Sequence, residues 1–340
     1  MLFAKSILVI LLALIFSWQC AQNQAKDTPQ HDFCQLDEIG SKINQDFFQI
    51  RKMVEFYSHY IQGIYEHQKQ LKNGLTRSKY AMHDKTVLYK PQDDGGSALF
   101  VSGAVPVNPK IRERARFTEF FDLFMKPVVE IYPEVSQIYF NDPESFCRIY
   151  PYFDVLMVFE PRLDVRQFNF FYLADEQHNP ERKSLWINKP YVDPAGRGWT
   201  VSTIAPVYVK DRFVGVAGID VTIKNIADRY LESADGIFMI VDHEGLVIAT
   251  GEKGAKIMRL PPLVNHKYIA TIRSDTFRSE QFNLLKSPNR EIREAAEAII
   301  NQERREIMLF RCSVETFSRG RFGRKSMKLR RWTLWQIQDP

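Results

Sequence analysis

Between residues 39 and 64 the apolar residues Ile39, Ile43, Phe47, Ile50, Val54, Tyr57, Ile61 and Ile64 recur at steps of four and three. That spacing lays them on one stripe of an α-helix. With Asn73–Gly74 as the stop signal, a spine helix is expected over residues 36–74. A helix of about 35 residues carrying this stripe is about 50 Å long at 1.5 Å per residue. A rod of that length exceeds the need of one small domain. It either pairs with a second copy as a coiled coil or lies along two stacked domains. The stripe leaves both open.

The rest of the chain alternates short apolar runs with turn signals. Residues 75–97 read as a loop closed by the turn "QDDGGS", followed by a strand at "ALFVSGAV". Residues 110–132 read as a helix interrupted near Pro127, and "VSQIYF", "FCRIYPY" and "DVLMVF" as short strands. An irregular polar stretch at 160–185 leads into "GWTVSTIAPVYV" and "RFVGVAGIDVTI", a strand pair around a Lys210–Asp211 turn, and a short helix at "KNIADRYLES". A second unit opens with the hairpin "FMIVDHEGLVIAT". It continues through helical pieces near 280–287 and 290–304 and closes with strands at "EIMLFRCSVETF" and "SMKLRRWTLWQIQ". The expected fold class is α+β. A long N-terminal helix precedes two units centred on antiparallel sheets, residues 75–233 and 234–340. With 45% hydrophobic residues, the 340-residue chain has ample material for such cores.

The N-terminus points to a compartment. Lys5 precedes the apolar run Ser6 to Trp18, too short for a comfortable membrane span and suited to an export signal. Residues 1–20 therefore read as a signal peptide or membrane anchor, and 21–35 as a polar tether. Cleavage, lipidation at Cys20 and retention as an anchor all stay open. The remainder is expected outside the cytoplasm, in the periplasm or at the cell surface. Cys20, Cys34, Cys147 and Cys312 are spaced too widely for a zinc or redox pattern, and a Cys34–Cys147 disulfide stays open. A net charge of +5 does not make the whole chain a nucleic-acid binder. The basic run from Arg319 to Arg331 reads as a solvated hairpin or as a contact with anionic lipid or a partner.

Signatures of catalysis are absent: no GxSxG, HExxH, Walker loop or GxGxxG, and histidines scattered without metal-ligand spacing. No cofactor and no enzymatic activity are expected. The segment from Trp186 to Asp220 has a different character. Arg182, Trp186, Tyr191, Asp193 and Asp220 bring together a guanidinium, aromatic walls and carboxylates. A small polar metabolite needs such groups: a guanidinium for a carboxylate, a carboxylate for an ammonium, and aromatic rings to exclude water. In the alternative reading Trp186 and Trp199 are core residues, Asp193-Pro194-Ala195-Gly196 is a turn, and Asp220 caps the following helix.

The stretch "PYVDPAGRGWTVSTIAPVYVKDRFVGVAGIDVTI" resembles the membrane-distal half of the double Cache sensor domain, a PAS-like extracytoplasmic module of bacterial chemoreceptors and sensor kinases. "FMIVDHEGLVIAT" resembles the first hairpin of that family's membrane-proximal half, and "RRWTLWQI" its last strand. The resemblance implies a ligand site in the distal unit. Tyr191 and Asp220 match the last Tyr and Asp of the amino-acid-binding subset, and "RKSLWIN" only approximates its Arg and Trp cluster. An amino acid, another amine or a carboxylate is the implied ligand. A membrane signalling partner is implied too, because the chain stops just after the last strand, and the long helix admits a homodimer. Two alternatives remain at this stage: an interaction subunit of a membrane complex with no small-molecule ligand, and a secreted hydrolase.

Overall fold

The computed structural model describes residues 29–71, 79–232, 236–242, 244–260, 282–300, 308–317 and 324–333. The first element is the long helix, α1 (Pro29–Glu66), 38 residues and about 57 Å of rod. It contains the whole apolar stripe, starting before the expected residue 36 and ending before the expected residue 74. One more helical turn follows at Gln68–Leu71, and the Asn73–Gly74 stop signal lies outside the described residues. The stripe itself is buried: Ile43, Phe47, Ile50, Val54, Tyr57 and Ile61 are at most 7% exposed. They share one core with residues of both sheet units, including Ile219 and Val221 of the first and Phe238 and Ile240 of the second. The helix is a spine along two units.

The first unit carries an eight-stranded antiparallel sheet. Its strands are β1 (Ala81–His83), β2 (Val87–Tyr89), β3 (Ala98–Val101), β4 (Gln137–Asn141), β5 (Phe146–Tyr150), β6 (Leu185–Val192), β7 (Trp199–Val209) and β8 (Arg212–Thr222), in the order β1-β2-β3-β5-β4-β8-β7-β6. Its longest strands are β7 and β8, paired around Lys210 and Asp211, both at positive φ. Neither strand shows the half-exposed alternation of a sheet with one wet face. Most of both strands is buried on both sides. Successive side chains point to opposite faces, so Ala217, Ile219 and Val221 meet the α1 core while Val216 meets a second core on the far face. That second core is roofed by the segment after β5, through Val155, Phe159, Leu163, Val165, Phe170 and Phe171.

Several local expectations change. The stretch 75–97, expected as loop, contains the β1–β2 hairpin, turned by Asp84 and Lys85 in left-handed backbone. "DVLMVF" is not a strand: the Asp154 carboxylate accepts the Leu156 N–H and curls Val155–Met157 into a 3-10 turn. The helical stretch after Asn108 breaks before Pro127. It forms α2 (Pro109–Phe117), a 3-10 turn at Thr118–Phe121, and α3 (Asp122–Ile131) with Pro127 inside it. At that break the Thr118 hydroxyl donates to the Arg114 carbonyl at 2.8 Å and accepts from buried Arg148 at 2.9 Å. "LWINKPYV", expected as approach to the sheet, is its edge strand β6, with an irregular register between Ile187 and Tyr191.

After α4 (Ile223–Ile226) and a π turn at Ala227–Leu231 comes the second unit. It is a four-stranded antiparallel sheet of β9 (Ile237–Val241), β10 (Val247–Thr250), β11 (Met308–Phe317) and β12 (Arg324–Thr333), in the order β10-β9-β11-β12. Two helices, α5 (Glu252–Met258) and α6 (Arg290–Ile300), and a turn at Leu284–Lys286 accompany it. Its own core is Met239, Val241, Val247, Met258, Leu284, Ile292, Ala296 and Ile300. Cys147 is a free, buried thiol on β5, so the Cys34–Cys147 disulfide is not formed. Its place explains why: β5 turns Cys147 toward the far face of the sheet, away from α1, the helix on which Cys34 lies. Among the described residues no helix is long and apolar enough to cross a membrane. The export segment with Cys20, and the side chains of Cys312 and of the basic run, fall outside what is described.

Candidate ligand-binding site

The far face of the first sheet does not fill completely. A small cavity of about 30 Å³, partly open to solvent, lies between it and the roof. Its floor is built by alternation. Along β4 Gln137, Tyr139 and Asn141 face the cavity, while Ile138 and Phe140 face α1. β5 adds Cys147 and Ile149, β8 adds Asp220, and β6 with the turn after it adds Tyr191, Asp193, Pro194 and Ala195. Phe159, Leu163, Val165 and Phe170 close the top. The Phe170 ring meets Tyr139 edge-on at 5.8 Å and Tyr191 at 5.7 Å.

Two carboxylates stand at one end, both almost wholly buried: Asp220 is 1% exposed and Asp193 2%. Asp220 sits opposite Gln137 on β4 and Ser202 on β7 in the strand register. Accordingly it accepts from Gln137 Nε2 at 2.5 Å and from the Ser202 hydroxyl. That hydroxyl is also bonded to the Tyr191 hydroxyl at 2.6 Å. Asp193 opens the Asp193–Gly196 turn and accepts the backbone N–H groups of Ala195 and Arg197 at 2.9 and 3.2 Å. The Arg197 guanidinium lies behind the two acids, donating to Gln137 Oε1 at 2.8 Å and to the Pro151 carbonyl at 3.0 Å.

Burial penalises the ionised form of both acids. It pushes Asp220 up to about 8, with the Asp193 charge adding to the rise and Gln137, Ser202 and Arg197 opposing it. Burial also raises Asp193, against the N–H groups of its turn. The pair therefore holds a proton that either acid would give up in water. Two further polar atoms are unspent. The Tyr139 hydroxyl and Asn141 Oδ1, on side chains 3% and 2% exposed, have no hydrogen-bond partner among the described residues. Tyr139 lies beside the Ser202 and Tyr191 hydroxyls, which temper the upward effect of burial on it, but neither bonds to it in good geometry. Its ring rests over Gly218, its partner across β4–β8, where any Cβ would collide with it.

Of the five residues expected at a site, Tyr191, Asp193 and Asp220 come together here. Trp186 does not. It stacks on Phe47 of α1 at 4.8 Å, on the opposite face of the sheet. The reason is parity: Trp186 and Tyr191 are five apart on β6, and an odd separation puts side chains on opposite faces. Arg182 precedes β6 in left-handed backbone, packs over the Tyr208 ring at 4.0 Å and pairs with exposed Asp211 at 3.0 Å. Asp211 begins the far end of β8, about 30 Å of strand from Asp220 at 3.3 Å per residue. Asp220 is not a helix cap, because Thr222 fills that role by accepting the Asn225 N–H at 3.1 Å. Gln137, Tyr139 and Asn141 were missed. Their signal is the polar–apolar alternation of "QIYFN", which marks a strand with a polar inner face.

No family model and no curated protein matches the sequence. Solved structures do. The chain is similar to ligand-binding domains of bacterial chemoreceptors. One is that of the Pseudomonas aeruginosa PAO1 amino acid chemoreceptor PctC in complex with GABA, at 11% identity, covering 89% of this chain and 99% of that one, with a TM-score of 0.41. Another is that of the P. aeruginosa PAO1 amino acid chemoreceptor PctB in complex with L-Arg, at 10% identity, 84% and 87% coverage and a TM-score of 0.39. A third is that of the Campylobacter jejuni chemoreceptor Tlp3 in complex with L-norvaline, at 10% identity, 84% and 90% coverage and a TM-score of 0.35.

Proposed function

We propose that this protein is an extracytoplasmic ligand-binding sensor of the double Cache type, and that it takes a small amine-bearing metabolite in the cavity of its first unit. One observation carries the reading: two carboxylates and two unspent polar atoms are buried around an unfilled space instead of being replaced by an apolar core. Burying such groups costs stability, and a ligand that completes their bonds returns it. In this reading Asp220 and Asp193 take the ammonium group, Tyr139 and Tyr191 wall it, and Gln137 and Arg197 hold the acids in place. Arg182 and Trp186 have no part in it. Placement outside the cytoplasm is supported by the export-like segment, and signalling through a membrane partner or a second copy along α1 by the sequence resemblance.

A thermal-shift screen of amino acids, amines and small carboxylates tests this. A ligand at 100 times its Kd stabilises by about 2.7 kcal/mol, a rise of several degrees in Tm. A hit that disappears in Asp220→Ala assigns the cavity. A folded protein that answers to nothing, but retains a protein partner in Asp220→Ala, establishes the interaction-subunit reading instead.

A further inference from the structure

Resting on the reading that the cavity binds an amine, we infer that its ligand is a small organic ammonium ion with an apolar body and no carboxylate. The wall chemistry is one-sided. The polar side chains that line the space carry negative charge or none: the carboxylates of Asp193 and Asp220, the amides of Gln137 and Asn141, and the hydroxyls of Tyr139 and Tyr191. No Lys, Arg or His is among the described residues lining the cavity. The cation nearest the acids, Arg197, is held to Gln137 Oε1 and the Pro151 carbonyl and is not part of the wall. Gln137, the amide at the acidic end, is committed as well, donating to Asp220 and accepting from Arg197.

An α-amino acid would bring its carboxylate within two bonds of its ammonium group, and so beside two buried acids. Among the described residues no cation lines that end to balance it. The Tyr139 hydroxyl and the proton that the acids share can donate one bond each, and the charge left on the acids repels a further anion. An ammonium ion alone meets the opposite situation. It offers three N–H donors where acceptors stand in surplus, and its positive charge lets both acids ionise.

The body of the ligand is set by the remaining wall. From Gln137 to Asn141 the floor runs four residues of β4, about 13 Å. Beyond Tyr139 it is lined by Ile149, Cys147, Phe159, Leu163 and Val165, with Asn141 Oδ1 the one polar group without a bond. No charged side chain lines that end, so a second cation has no counter-ion there.

Isothermal titration of the full chain with matched compounds tests this. The probes are isoamylamine against leucine, phenethylamine against phenylalanine, 3-phenylpropionate, and 1,5-diaminopentane. The expected result is that the monoamines bind at least about 10-fold more tightly than their parent amino acids, the gap that one lost charged hydrogen bond makes. Asp193→Asn should weaken amine binding by a similar factor in a chain that still folds, because an asparagine oxygen keeps the stronger of the turn's two bonds, that from the Ala195 N–H. Amino acids binding as tightly as amines would overturn the inference and leave the amine-sensor reading intact. Preference for 1,5-diaminopentane would overturn the apolar body. Tight binding of 3-phenylpropionate alone would overturn both the inference and the amine reading. No binding of any probe to the folded chain would do the same.

Discussion

The two sheet units solve the same packing problem with different materials. Both lay an antiparallel sheet against α1, and both have a further core of their own. In the second unit that core is methionine, valine, leucine, isoleucine and alanine. The first unit buries Arg148, Asp142, Asp193 and Asp220 as well, each at 2% exposure or less, and leaves a cavity beside two of them. Among the described residues of the second unit the buried acid is Asp242, 7% exposed and held by N–H groups of its own turn. Every buried charge in the first unit needs its own set of partners to be tolerated. Arg148 illustrates the cost. Its guanidinium is satisfied by the hydroxyls of Ser97, Thr118 and Tyr80 and the Ala115 carbonyl, with the carboxylates of Asp122 and Glu119 near enough to favour its charge.

Substitutions can break this contrast. Arg148→Met should have the largest effect, about 3–5 kcal/mol, because it strands several buried acceptors at once. Ile292→Val in the second core should cost about 0.5–1.5 kcal/mol. Urea denaturation of both variants measures the difference, and equal losses would erase the distinction between the units. Next, Gly218→Ala should cost about 1–3 kcal/mol, since the new methyl group collides with the Tyr139 ring and drives it into the cavity. Binding of any cavity ligand should fall with it, whereas the same change at Gly63, where a Cβ meets open space, should leave binding alone.

A third effect is spread over pH. Asp220 holds its proton to about 8 in the folded chain and releases it near 4 in the unfolded one. Between those values the native state binds more protons, so stability of the free protein should fall as pH rises from about 4 to 8. The groups facing Asp220 are Asp193, Gln137, Ser202 and Arg197. Asp220→Asn should flatten the slope in a Tm-versus-pH series, and an unchanged slope would place the proton elsewhere. The smallest effect belongs to Arg182→Ala. It removes an exposed ion pair, should change stability by less than about 0.5 kcal/mol, and should leave ligand binding untouched.

How far the sequence reaches follows from which signals are local. The spine helix, the β7–β8 pair and the β9–β10 hairpin rest on periodicity and turn residues close in the chain, and they are where the pattern puts them. Tyr191, Asp193 and Asp220 were legible because a motif carried them. Arg182 and Trp186 were not, because nearness in sequence says nothing about the face of a strand until the strand itself is recognised. β6 hides behind Pro190 and an irregular register, so its parity was invisible. Gln137, Tyr139 and Asn141 lie about 80 residues from Asp220, and only the β4–β8 pairing brings them to it.

That pairing has a consequence for how the molecule assembles. The β4–β5 and β7–β8 hairpins each close locally, but joining β4 to β8 must close a loop that contains residues 151–184. Non-local pairings of this kind are the slow ones. Until it forms, Asp220 is a carboxylate on an unpaired strand edge in water, with the acidity of any other aspartate. Its proton is taken up when the two hairpins dock. At neutral pH, then, the refolding chain should draw a proton from solution late rather than early. The pH of a weakly buffered sample would record the moment the cavity comes into being.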